Sequence, residues 1–165
     1  MQMTGRLQLT TPSDREIMIT RVFAAPRRLV FDAYTIPALI RRWLLGPPGW
    51  TMPVCEVDLR VGGRYRYVWH GPEGVTMGMG GTFREIIAPD RLVSTESFDE
   101  DWTGGETLAT VILVEKDGKT LLTQTVLYAS KEAREGALAT GMTEGMEAGY
   151  ARLDELLAER LAGRA

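Results

Sequence analysis

Between Met52 and Tyr128 the chain offers five or six extended segments, and the connections between them leave little choice of topology. The candidates are Met52 to Leu59, Arg64 to His70, Val75 to Ile87, Arg91 to Phe98, Glu106 to Lys116 and Lys119 to Tyr128. They are separated by Val61-Gly62-Gly63, Gly71-Pro72-Glu73-Gly74, Ala88-Pro89-Asp90, an acidic Gly-rich loop, and Asp117-Gly118. A parallel crossover needs about a dozen residues or more. These turns are too short, and Asp-Gly is a strong two-residue hairpin signal. The segments therefore read as an antiparallel meander.

A sheet of this size must bury a face, and the flanking segments indicate how. Upstream, Arg15 to Phe23 alternates, with Ile17, Ile19 and Arg21 on one face, and reads as a further strand. Pro26 then opens a short helix carrying Leu29, Val30, Ala33 and Tyr34, and Pro37 opens a second carrying Leu39, Ile40 and Trp43. Gly46-Pro47-Pro48-Gly49 ends it. Downstream, Ser130 is a candidate N-cap. Leu138, Met142, Met146, Leu153, Leu157 and Leu161 form a stripe at helical spacing, which predicts one long C-terminal helix as the cover. The expected class is α+β, with 1–13 a flexible arm and 14–162 a single domain.

Composition narrows the function. The 165 residues are 44% hydrophobic and 25% charged, ordinary for one globular domain. The net charge of -3 argues against a nucleic-acid binder. A single cysteine, Cys55, excludes an internal disulfide framework, and a single histidine, His70, excludes metal sites needing two imidazoles. No apolar run reaches the roughly 18–20 residues of a membrane span, and the N-terminal residues lack a signal-peptide pattern. The expectation is a cytoplasmic protein, monomer or weak homodimer, without cofactor or metal.

Four phrases carry a resemblance: Arg21-Val22-Phe23-Ala24-Ala25-Pro26 followed by Val30-Phe31; Gly62-Gly63-Arg64-Tyr65; Gly81-Thr82-Phe83-Arg84-Glu85-Ile86 running to Pro89-Asp90-Arg91-Leu92; and Gly149-Tyr150 leading to Leu153-Asp154-Glu155-Leu156. In this order, over roughly residues 15 to 160, the chain resembles the START-like (SRPBCC) superfamily. Within it, the chain is similar to the group named after the activator of the heat-shock-protein-90 ATPase. Tyr150 stands where that group usually has Trp, and the eukaryotic activator's additional N-terminal domain has no counterpart here. The resemblance implies a helix-grip fold, as in the birch-pollen-allergen-like proteins: a curved antiparallel sheet around a long C-terminal helix, with an apolar cavity between them.

Candidate lining residues follow. Tyr65, Tyr67 and Trp69 share one strand face, as do Met77 and Met79. Met142 and Met146 flank Gly145 on the last helix, and unbranched thioethers adapt to irregular apolar contents. Trp43, Phe83, Phe98 and Trp102 complete the set. Gly141, Gly145 and Gly149 recur every four residues and so would share a helix face, each costing roughly 0.5–1 kcal/mol against alanine. Close approach of helix to sheet and room for a ligand both account for them. No catalytic residue is assigned. His70 at a strand end has no carboxylate placed to orient it, Cys55 reads as a buried inert thiol, and Glu56 with Asp58 reads as a solvated pair. Gly78, Gly80 and Gly81 lack the lysine and following helix of a phosphate loop. The acidic loop 99–106 is a candidate docking patch for a protein partner. Binding of a small hydrophobic or amphipathic molecule is the first functional reading, a co-chaperone-like or stress-response interaction module the second, and a cyclase- or hydrolase-like enzyme the third.

Overall fold

The computed structural model describes residues 6–101 and 104–163. Eight strands form one antiparallel sheet: β1 (Gln8–Thr10), β2 (Glu16–Phe23), β3 (Thr51–Val57), β4 (Arg64–His70), β5 (Thr76–Ile87), β6 (Arg91–Phe98), β7 (Thr107–Lys116) and β8 (Lys119–Leu127). Their order is β1-β2-β8-β7-β6-β5-β4-β3. Six of them run consecutively as the meander, and β2 closes onto β8 with Ile17 opposite Val126. The hairpin between β7 and β8 turns at Asp117 (φ 54°) and Gly118 (φ 76°), the paired positive φ of a type I′ turn.

Between β2 and β3 lie α1 (Arg27–Thr35) and α2 (Pro37–Trp43). Pro37 stands in the first turn of α2, where its missing N–H costs nothing. After β8 come α3 (Lys131–Leu138) and α4 (Met142–Gly163). Ser130 caps α3, its hydroxyl accepting the Ala133 N–H at 3.0 Å.

Two expectations are corrected. The C-terminal helix is not continuous from Ser130: it breaks at residues 139–141, where Gly141 takes φ +73°. Gly141 is therefore a turn residue rather than part of a helical glycine face. Within the expected N-terminal arm, Gln8–Thr10 pairs with β2 and forms the sheet edge. Leu7 and Leu9 pack against the core, and the Leu7 N–H donates to the Glu147 carboxylate at 2.9 Å. Three residues are too few for alternation to reveal such a strand.

The helices pack on one another as well as over the sheet. The α4 backbone lies closest to α2 and α1. Phe23 and Tyr150 meet edge to face at 5.3 Å, and Tyr150 stacks on Trp43 at 6.0 Å. Arg21, buried on the inner face of β2, reaches Asp154 of α4 through two hydrogen bonds of 2.6 and 2.7 Å. Its guanidinium also lies 4.6 Å from the centre of the Phe23 ring. This end of the molecule is filled. The other end is not.

Candidate functional site

Pleating sends alternate residues of each strand to the same face, and on five strands those residues face one cavity of about 380 Å³. From β4 come Tyr65, Tyr67 and Trp69, and from β5 Met77, Met79 and Phe83. Leu92, Ser94, Glu96 and Phe98 follow from β6, then Thr107, Ala109 and Val111 from β7. Gln124 and Val126 of β8, with Tyr128 just beyond it, complete the sheet wall. The opposite wall is Met142, Gly145, Met146, Gly149 and Tyr150 of α4, with Tyr34, Trp43 and the 44–47 loop. Pro47 and Met77 are exposed, which places them at the mouth.

The structure thus brings Trp43, Tyr65, Tyr67, Trp69, Met77, Met79, Phe83, Phe98, Met142, Gly145 and Met146 around a single space. Trp102 lies outside the described residues. His70 is exposed at the end of β4 and is not among the residues lining this cavity. Cys55 is buried, which pushes its thiol up against the opposing effect of Arg41. Among the described residues no cluster of three or more His, Cys, Asp or Glu could hold a metal.

The glycines divide by role. A Cβ on Gly149 would come within 3.1 Å of the Trp43 carbonyl oxygen, so α4 approaches α2 there rather than the sheet. A Cβ on Gly145 would meet only ordinary contacts, Pro47 Cδ at 3.5 Å, beside the cavity. In β5, a Cβ on Gly78 would collide with the Asp99 carboxylate, and one on Gly81 with the Thr95 carbonyl. Close approach, not phosphate binding, accounts for both.

The aromatic wall is fixed by hydrogen bonds at its polar tips. Tyr65 donates its hydroxyl to the Thr95 carbonyl at 2.5 Å, Trp69 its indole N–H to the Leu44 carbonyl at 2.7 Å, and Trp43 to the Ala33 carbonyl at 2.8 Å. Tyr34 and Tyr150 present buried hydroxyls to one another without a well-formed hydrogen bond. Burial raises Tyr65 and Tyr67 well above the ordinary phenol range and pushes Tyr128 up to about 12, the nearby Glu96 adding to each.

Glu96 is the residue that sequence reasoning missed. Three residues before the acidic run that starts at Asp99, it is partly buried and lines the cavity. Burial raises its carboxyl above the usual range, and a hydrogen bond from Thr107, hydroxyl to Oε1 at 3.2 Å, partly opposes this. The available signal was its place in the two-residue alternation that runs through Leu92, Ser94 and Phe98. The acidic loop is less free than its charge suggests. Asp99 is held by Arg66 through two 2.6 Å bonds, and Asp101 accepts the Gly105 N–H at 2.6 Å.

The profile of the Activator of Hsp90 ATPase homolog 1-like protein family matches residues 24–158. Among solved structures, a protein from Rhodobacter sphaeroides is 40% identical and superposes with a TM-score of 0.87, covering 93% of this chain and 98% of that one. A Nitrosomonas europaea protein is 26% identical (TM-score 0.81, covering 92% and 99%). A solution structure from Arthrobacter aurescens is 29% identical (TM-score 0.81, covering 92% and 91%). No functionally curated protein matches significantly.

Proposed function

Since the chain belongs to the Activator of Hsp90 ATPase homolog 1-like family, with the START-like helix-grip fold, we propose that it binds a small hydrophobic or amphipathic molecule between its sheet and its C-terminal helix. One observation carries this reading: a cavity of about 380 Å³ walled by aromatic, methionine and aliphatic side chains, with a few polar groups on one side. Ligand sites of roughly 300–1,000 Å³ have this composition. The aromatic wall is held open by its own hydrogen bonds rather than collapsed, so the site is formed in advance and little ordering accompanies binding. In this reading the protein acts in the cytoplasm as a monomer or weak homodimer, with no cofactor and no nucleic-acid partner. Among the described residues no helix is long and apolar enough to cross a membrane.

The second reading, docking of a protein partner on the 99–106 loop, has less support. Asp99 and Asp101 are already engaged within the chain.

Native mass spectrometry of the purified protein, with fluorescence titration by the neutral probe N-phenyl-1-naphthylamine, tests the first reading. A co-purified small molecule, or saturable probe binding that Gly145→Leu weakens by filling the cavity, is expected. A protein that carries nothing and binds no probe would overturn it.

A further inference from the structure

An ionisable carboxyl in a wall whose other polar groups are all neutral is costly to hold there without a partner charge. Glu96 is placed by the pleat of β6, in line with Leu92, Ser94 and Phe98, and stands opposite Thr107 of β7. Its only hydrogen-bond donor among the described residues is the Thr107 hydroxyl. No Lys, Arg or His is among the described residues that line the cavity. The ionisable groups that feel its charge are phenols, Tyr65 and Tyr67 from β4 and Tyr128 after β8, and the exposed Glu106 acts on Tyr65 as well. The Tyr65 hydroxyl is already committed to the Thr95 carbonyl. Among the described residues no cation neutralises Glu96.

We infer that Glu96 is the counter-ion for a basic nitrogen, so that the ligand class of this cavity is an apolar molecule carrying one protonated amine. This rests on the cavity being a ligand site. An amine would give the carboxylate the opposite charge that the wall lacks, through a charge-assisted hydrogen bond in a water-poor space. A fatty-acid-like carboxylate is disfavoured, since it would sit as a second negative charge beside Glu96 with no cation to separate them. A neutral alcohol would leave Glu96 in its present costly state. The preference is thus for charge type rather than for chain shape.

The test is competition against N-phenyl-1-naphthylamine by three probes of one chain length: octylamine, octan-1-ol and octanoate. At neutral pH octylamine should compete at about tenfold lower concentration than octan-1-ol, with octanoate weakest. Glu96→Gln should bring octylamine to within about twofold of octan-1-ol. Acidification through the Glu96 titration should weaken octylamine and spare octan-1-ol. Octan-1-ol or octanoate binding as tightly as octylamine to the unaltered protein, or an amine preference that survives Glu96→Gln, overturns the assignment. Should that variant fail to fold, the three probes and the acid series on the unaltered protein still decide it. Binding of the fluorophore and octan-1-ol with no amine preference removes only the Glu96 assignment, whereas a cavity that takes up none of them removes the ligand-site reading as well.

Discussion

At the scale of single residues, Glu96 also predicts how stability depends on pH. Burial raises its carboxyl above the unfolded value of about 4.3, so over the interval between the two the folded chain binds more protons than the unfolded chain. Stability attributable to this group is then highest in acid, falls as pH rises from the unfolded value to the folded one, and stays reduced above it. Glu96→Gln should therefore be more stable than the unaltered protein at neutral pH, with the gain shrinking towards the unfolded value. Urea unfolding at a series of pH values measures this, and a variant equally destabilised at every pH would count against it. Sequence alternation places Glu96 opposite in direction to Thr95, but it does not say which face encloses a space. That depends on where α4 sits, and α4 is positioned by contacts over a hundred residues away in sequence, such as Arg21 with Asp154.

Elements were legible in proportion to how clearly their ends are marked. The six meander strands are bounded by Gly, Pro and Asp turns and were readable almost to the residue, as were the Pro-initiated helices α1 and α2 and the Ser130 cap. The C-terminal helix was not, because Leu138 and Met142 keep the four-residue rhythm across the break, and glycine fits equally a helix interior and a left-handed turn. The two uses separate under substitution. Gly141 has φ +73° and open space around it, so Gly141→Ala should cost about 1 kcal/mol through backbone strain alone. Gly136 lies inside α3, also with nothing within 4 Å, so Gly136→Ala should instead stabilise by up to about 1 kcal/mol. Thermal unfolding of the two variants should move in opposite directions. Shifts of the same sign would mean that the helix runs through residue 141.

For the molecule as a whole, the core divides into side chains that line the cavity and side chains that do not. Ile17, Ile19, Phe23, Leu122, Leu153, Leu156 and Leu157 are among the most fully buried, and none of them lines the cavity. Leu153→Ala should open a void in filled core and cost roughly 2–5 kcal/mol. Met77→Ala, at a cavity-lining side chain 37% exposed, should change stability by no more than about 0.5 kcal/mol while altering probe affinity. Denaturant midpoints together with probe titrations compare the two, and similar losses of stability would show that cavity and core are one cooperative body.

Because α4 is held by α2 at Gly149 and by β2 through Phe23 and Arg21, at one end of the sheet, the helix spans the cavity as a lintel carried by its supports. Side chains at the open rim of the span bear little of its weight, whereas Tyr65, Tyr67, Trp69 and Phe83 are buried in the same core as the supports. Substitutions at the rim, as at the exposed Met77, can therefore change what the space admits while the frame that encloses it stays as strong. The threshold of the space is thus the part of the fold freest to vary.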